Sequence, residues 1–451
     1  MGSPSMHGVS DSDFEQYQVK LREFMRTHIY PNEKLFEEQS RAIADAGNEW
    51  YDPPILVELK GKAKSAGLWN LWLSRQLASV MDLGPEYEGP GLSNLQYAQL
   101  CAIMGTSNHM EFASHAMNCC SPDTGNMETL GRFGTREQKE KWLKTLLDGT
   151  TRSAYAMTEP QHASSDAKNV RISIHKEMSA GEYVINGEKW WITGAGSLHC
   201  NIIILLGAID GKQSVVLVPM DTPGITLLRP MKVLGDDDAP KGHMHILFEN
   251  VRVPFANILA GEGRGGEIAQ ARLGPGRLHH CMRAIGTAER AIALMCYRTS
   301  RREAFGKKLS EFDSIVQDIA KSRNEITMCT MLVENAAHKI DTSGSKAARK
   351  ELSMCKSVVP RTVQHIVDRA MQAHGAMGLS QDTFLATAFN WARWLRYADG
   401  PDEVHWKVVG SLELKEQAKS ELALLGHYPV NKEHVFRRST DPISPAARAR
   451  L

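Results

Sequence analysis

Acid–base and anion-binding side chains gather in a few short segments of this chain. Tyr397-Ala398-Asp399-Gly400 puts a carboxylate after a helix-like run and before the acidic cluster Pro401-Asp402-Glu403. A carboxylate held by a protein can serve as a general base. The same Asp-Gly-Pro order is also an ordinary turn, because Asp accepts local backbone hydrogen bonds and Gly permits positive φ. Arg302-Glu303-Ala304-Phe305-Gly306-Lys307 follows a long helix-like run. Alone it fits a helix C-terminus, with Gly306 supplying the reversal and basic side chains favouring the dipole. Upstream lie Tyr155-Ala156-Met157-Thr158-Glu159-Pro160, then Ser164-Ser165-Asp166, and further on Lys189-Trp190-Trp191-Ile192-Thr193. These read as a strand end with a polar loop and as a strand, in which paired tryptophans pack more often than they bind. Arg277 stands at a helix entry in Gly274-Pro275-Gly276-Arg277-Leu278, a common place for a surface arginine. His279-His280 favours a structural role over a metal pair, since neighbouring helical positions point in different directions.

Three textures would position these segments. From about Asp11 to Asp148 the chain is helical in character: Phe14 to His28 and Glu137 to Leu147 carry apolar residues at three- and four-residue spacing. Gly84-Pro85 and Gly89-Pro90-Gly91 mark turns between segments. From Ser153 to about Gly265 the runs shorten to strand length. Tyr183-Val184-Ile185 leads to Asn186-Gly187, which predicts a hairpin turn, and then to Lys189–Thr193. Asn201 to Leu206, Ser214 to Val218 and His243 to Phe248 complete a predicted β domain. Helices return over Leu278 to Arg298, Ser314 to Asp341, Lys346 to Ala376, Thr383 to Tyr397 and Asp402 to Leu424, and would form a bundle. The predicted domains are 11–152, 153–265 and 266–425, with an extended tail over 426–451.

Composition sets outer limits. A chain of 451 residues with 42% hydrophobic content can bury two or three cores. With 53 basic and 52 acidic residues there is no electrostatic case for a nucleic-acid or anionic-membrane surface. The apolar run Ile202 to Leu206 is far too short to span a bilayer. The eight cysteines include no C-x-x-C pair and are expected to be reduced intracellular thiols. The first six residues carry no apolar signal-peptide core. The terminal Ala449-Arg450-Leu451 is similar to the peroxisomal Ser-Lys-Leu signal, so a peroxisomal address is expected, with mitochondrion or cytoplasm as alternatives.

Taken together in their fixed order, the marked segments resemble the acyl-CoA dehydrogenase family, over roughly Phe14 to Leu424. The runs Leu273-Gly274-Pro275-Gly276-Arg277 and Ala398-Asp399-Gly400-Pro401-Asp402-Glu403-Val404-His405 most resemble its subgroup of family members ten and eleven. Larger members of that subgroup add a kinase-like domain that is not among these residues, and no phosphoryl-transfer step is carried over. The resemblance implies a mainly α fold with a β middle domain: an N-terminal helical domain, a β-barrel-like domain and a C-terminal four-helix bundle. It implies FAD, with Tyr155, Met157, Thr158, Trp191, Ile192 and Thr193 along the flavin and Trp190 as a packing residue. Arg302 and Phe305 would serve the pyrophosphate and adenine of a neighbouring subunit's FAD; Gln372, Gly375 and Ala376 would wrap the adenosine end. Pro401, Asp402 and Glu403 complete the implied cofactor contacts, and Ser165, Arg277 and Gly400 the approach to acyl-CoA, Ser165 also touching the cofactor side.

By the same resemblance Asp399 is the base that removes a proton beside a thioester while a hydride leaves for flavin N5. A dry pocket would raise its pKa and strengthen it. Gly276, where some relatives place their base, cannot serve. The chain departs from the family pattern at Gln161-His162-Ala163, Asp313 and Ala376. The implied reaction is α,β-desaturation of a fatty acyl-CoA, as in β-oxidation, by a homotetramer passing electrons to an electron-transferring flavoprotein or to oxygen. Two other readings stay open: a flavin-bearing acyl-CoA or fatty-acid binding protein, and an acyl-CoA oxidase or flavin monooxygenase on the same fold.

Overall fold

The computed structural model describes residues 8–109 and 111–420; the expected tail and the Ala449-Arg450-Leu451 triplet lie outside them. The chain opens with α1 (Asp11–Phe24), capped by Ser10, whose Oγ accepts from Asp13 N. There follow α2 (Glu33–Asp45), α3 (Pro54–Ser65), α4 (Arg75–Met81), α5 (Asn94–Met104), α6 (Phe112–Ala116) and α7 (Asp123–Phe133). Two short helices, α8 (Arg136–Gln138) and α9 (Lys144–Leu147), close this first helical region. The capping box Ser93…Gln96 at the start of α5 shows how local chemistry fixes these ends.

The middle of the chain folds as one seven-stranded mixed sheet. Its strands are β1 (Arg152–Ala156), β2 (Ser173–Glu177), β3 (Glu182–Thr193), β4 (Cys200–Ile209), β5 (Lys212–Pro219), β6 (Ile225–Pro230) and β7 (His243–Pro254). The order is β1-β4-β2-β3-β7-β6, with β5 also on β4. β4 runs parallel to β1 and β2; the other pairs are antiparallel. The apolar run of β4 is explained by two-sided burial: Ile202, Ile204 and Leu206 join the helical core, while Ile203 and Leu205 join a separate β core.

One predicted turn is corrected. Asn186-Gly187 makes no hairpin; β3 runs straight through it, and the turn falls at residues 178–181 between β2 and β3. The strand absorbs the pair as an irregularity between Ile185 and Gly187, with Gly187 at φ +135° and Asn186 Oδ1 accepting from Asn250 N at 2.7 Å.

After the sheet come α10 (Gly265–Thr299), a small hairpin of β8 (Glu303–Ala304) and β9 (Lys307–Lys308), then α11 (Asp313–Ala347), α12 (Arg349–His374), α13 (Leu385–Leu395) and α14 (Asp402–Gln417). Ion pairs give their directions. Arg323–Glu289 sets α11 antiparallel to α10, and Lys339–Glu351 with Arg369–Glu325 sets α12 antiparallel to α11. A second correction concerns the entry to this bundle. Gly274-Pro275-Gly276 is not a helix start but lies inside α10, which begins at Gly265. Burial of Ile268 and Ala269 in the helical core extends the helix across a sequence that local propensity would break.

Candidate active site

Extension of α10 puts Arg272, Gly276, His280 and Arg283 on one helical face, and the turn between α13 and α14 meets that face. Asp399 sits in this turn with φ +57°, a left-handed conformation that Asp tolerates better than most residues. Gly400 follows at φ +109°. Around the carboxylate, Arg272 Nη1 lies 3.5 Å from Oδ1 and His280 Nε2 lies 3.7 Å from Oδ2. A Cβ built on Gly276 would stand 3.5 Å from Oδ2, so a glycine here leaves the flank of the carboxylate open. The backbone is held as well: Arg277 Nε donates to the Asp399 carbonyl at 3.1 Å. Lys356, buried in α12, donates to the carbonyl of Leu395, capping the C-terminus of the helix that leads into the turn.

Burial is the largest single influence on Asp399 and pushes its pKa up. The field of His280, Arg272, Arg277 and Lys356 outweighs it and holds the carboxyl below the ordinary value. His280 itself is pushed down to about 3 by burial and then by Arg283, so at neutral pH it is uncharged. The two arginines therefore supply most of the charge, Lys356 being itself pushed down by burial, and the expected upward shift of the Asp399 pKa is corrected. His405, buried at the start of α14, is depressed to about 4 by burial and then by Arg277 and Lys356, and its Nε2 has no partner.

The flavin-type residues fall into near and distant groups. Tyr155 on β1 lies under the Arg272 guanidinium, 4.5 Å from its centroid, and its buried hydroxyl has no partner. Thr158 donates its hydroxyl to the Trp190 carbonyl, so that hydroxyl meets a ligand only as an acceptor. Met157 is half-buried, and its carbonyl accepts from Lys189 Nζ at 2.7 Å. Trp191 sits on a register shift of β3 at φ +56° with 37% of its surface exposed; Trp190 is half-buried. Ile192 is 1% exposed in the β core, so it reaches a ligand through its backbone alone. Thr193 Oγ1 lies 2.9 Å from His243 Nδ1. An aromatic chain joins this strand to the base: Trp191–His243 at 5.9 Å, His243–Trp394 at 5.6 Å and Trp394–His280 at 5.9 Å between centroids.

Ser165 is exposed in the loop after β1. Pro401 is half-buried, Glu403 is exposed, and Asp402 gives Oδ2 to Arg396 Nε at 2.7 Å. Asp402 thus clamps the turn and starts α14 with one oxygen, while its buried Oδ1 has no partner. Arg302 and the 97% exposed Phe305 lie beyond the far end of α10. Gln372, Gly375 and Ala376 are exposed at the end of α12, which runs parallel to α10 and finishes at the same end of the bundle. From His280 to the end of α10 is about 30 Å at 1.5 Å per residue. No single-subunit site joins these two groups compactly.

Sequence reasoning missed Arg272, His280 and Lys356. The signal was present for the first two, at i and i+8 with Gly276 between them, but the Gly-Pro-Gly reading hid it. It also missed Lys189, fully buried, which donates to Glu159, Met157 O and Leu206 O at 2.7–2.9 Å. Glu159 also accepts from the amides of Arg171 and Ile172. This pair nails the loop after β1 onto the sheet. Among the described residues no group of His, Cys, Asp and Glu could hold a metal ion, and no helix is long and apolar enough to cross a membrane.

Family models described as the N-terminal, middle and C-terminal domains of acyl-CoA dehydrogenase match residues 11–150, 154–251 and 263–412. Acyl-CoA dehydrogenase family member 10 of Mus musculus is 49% identical over 422 residues, covering 92% of this chain but 38% of its own length. "Probable acyl-CoA dehydrogenase FadE2" of Mycobacterium tuberculosis is 48% identical over 407 residues, 89% of this chain and 95% of its own. The chain spans about half the length of the family member 11 proteins it matches, as in Gallus gallus at 44% identity with 51% covered. Among solved structures, an acyl-CoA-dehydrogenase-type chain from Mycobacterium abscessus superposes with a TM-score of 0.83 at 44% identity, over 92% of this chain and all of that one. Butyryl-CoA dehydrogenase of Megasphaera elsdenii gives 0.73 at 25% identity, over 90% and 99%. On this evidence of sequence and fold, the chain belongs to the acyl-CoA dehydrogenase family.

Proposed function

We propose that this chain is an FAD-dependent dehydrogenase that desaturates the α,β-bond of a fatty acyl-CoA, with Asp399 as the base. The observation that carries the reading is a largely buried, ionised carboxylate, with 12% of its side chain exposed, surrounded by basic side chains in a left-handed turn and flanked by a glycine that leaves room beside it. The residues present fit a flavin. Trp191 is half-exposed on a strand irregularity, Thr158 in the loop after β1 bonds the adjacent Trp190, and the aromatic chain from Trp191 ends against the base. Bound there, FAD would supply the hydride acceptor.

The chain's own residues do the rest. Asp399 takes the α-proton, and Arg272, Arg277 and Lys356 keep it charged beforehand. The backbone amide of Asp399 donates to no acceptor among the described residues, so it is free to bind a thioester carbonyl as negative charge develops there. Asp is one methylene shorter than Glu, so the substrate must come closer to the turn. A base held below the ordinary carboxylate range is weak, and acidification of the α-proton by that carbonyl contact must make up the difference. The distance of Arg302 and Phe305 from Asp399 supports an assembly in which each FAD spans two subunits, read here as a homotetramer.

Asp399→Asn tests the base. The variant should fold, stay yellow and bind acyl-CoA, while anaerobic stopped-flow bleaching of the flavin slows by about two to four decades. Bleaching at the parent rate would show that another group is the base. A parent protein that binds acyl-CoA without bleaching would instead be a binding protein, and steady oxygen uptake would mark an oxidase.

A further inference from the structure

His280 stands beside the base on a side that the family resemblance did not supply. It is 5% exposed. Its Nδ1 lies 3.1 Å from Arg283 Nη2 and its Nε2 lies 3.7 Å from Asp399 Oδ2. A guanidinium offers hydrogens and no acceptor, so Arg283 is the donor and Nδ1 the acceptor. The neutral ring then carries its own proton on Nε2, the nitrogen that faces the carboxylate. Arg283 cannot turn away. It is buried, its Nη2 also pairs with Glu111 Oε1 at 3.0 Å, and the other Glu111 oxygen holds Lys241 of the β domain. The tautomer of one ring is thus set by buried ion pairs that join the N-terminal helices, the sheet and the bundle.

We propose that His280 is a positioning residue for Asp399, locked by Arg283 in the tautomer that faces Nε2–H toward Oδ2 at 3.7 Å, beyond direct hydrogen-bond reach, so that its packing and N–H dipole steady the carboxylate and favour its ionised form. This rests on Asp399 being the base. The groups facing Asp399 are Arg272, Arg277 and His280 from α10, Lys356 from α12, His405 from α14 and Tyr155 from β1. Those facing His280 are Arg283 on its own helix, Asp399, Lys356 and Glu111. The ring stays neutral from pH 5 upward, so its influence is that of an oriented N–H dipole and not of a titrating charge.

Two substitutions separate this role from packing. His280→Gln keeps an acceptor for Arg283 and an N–H for Oδ2; His280→Leu keeps neither. Flavin bleaching by acyl-CoA should slow on the order of 10- to 100-fold in the Leu variant, because a displaced base costs rate. The acid limb of its pH profile should move upward, since a lost donor raises the carboxylate pKa. The Gln variant should stay within a few-fold of the parent. A second readout needs no turnover: the change in Tm caused by Asp399→Asn at pH 7, measured in the parent, Gln and Leu backgrounds of the FAD-loaded protein. It should be smaller in the Leu background and restored in the Gln one. Equal damage from Gln and Leu, or an Asp399→Asn effect identical in all backgrounds, would overturn the assignment. If acyl-CoA bleaches no flavin even in the parent, the dehydrogenase reading fails, while the thermal cycle still decides whether His280 and Asp399 are coupled.

Discussion

Arg272 is the residue that most changes how Asp399 must be understood. Its guanidinium lies over Tyr155 and makes only long contacts, 3.3 Å to Asn126 Oδ1, 3.5 Å to Pro122 O and 3.5 Å to Asp399. Its charge is therefore not quenched by a tight partner and acts on the base. Because Asp399 has a folded pKa below its unfolded one, it contributes stability above pH ~4 that is lost as pH falls through the lower folded value. Arg272→Met should raise the folded pKa. The acid limb of kcat/KM for flavin reduction would then move to higher pH, and part of the neutral-pH stability would go. An unmoved acid limb would mean that Arg272 does not tune the base. At this scale Asp399 and Gly276 were legible as residue types in a known spacing. The cations around them were not, because three come from α10 and α12 and gather only through helix packing. The direction of the Asp399 shift followed from that gathering and could not be read from one acidic letter.

At the scale of elements, β3 and the loop after β1 form one unit. Thr158 O accepts from Trp190 N at 3.1 Å, the Thr158 hydroxyl returns to Trp190 O, and Lys189 binds Glu159 beneath them. Lys189→Met would leave Glu159 buried without its cation, a change that costs about 3–5 kcal/mol. Urea unfolding should show a loss of that size, and FAD should dissociate more readily because the loop bonded to Trp190 is freed. Retention of parent stability would show that Glu159 is satisfied by its backbone amides alone. The sequence displayed both halves of this unit as marked segments, and their β character was legible from apolar alternation. The pairing was not. Asn186-Gly187 carries the strongest local hairpin signal in the region, yet a twelve-residue strand passes through it. Cross-strand partners on β7 and the Asn186–Asn250 bond decided the outcome, and neither is visible in a local window. The Gly-Pro-Gly inside α10 repeats the point for helices, with tertiary burial overriding a local breaker.

For the molecule as a whole, helical, β and helical regions were legible in order because composition changes texture at each boundary. What ties them together was not. Glu111 before α6, Lys241 in the loop before β7, and Arg283 on α10 meet in one buried cluster, each contributed by a different region. No periodicity encodes such a meeting. The cluster makes the three regions one rigid frame around the base, so damage to it would be felt as loss of the site and not only of stability.

The exposed hairpin carrying Arg302 and Phe305, about 30 Å along α10 from the base, has a consequence for heredity as much as for structure. If each catalytic centre draws Asp399 from one chain and Arg302 from its neighbour, two different loss-of-function alleles can complement. Asp399→Asn chains still lend an intact Arg302, and Arg302→Ala chains still offer an intact Asp399. Unfolding and refolding the two inactive proteins as a 1:1 mixture should rebuild about a quarter of the centres, the share expected from random pairing of chains across a two-fold interface. The same mixture made without refolding should stay inactive. Failure of the refolded mixture to gain any flavin reduction would place both residues in the service of the same chain.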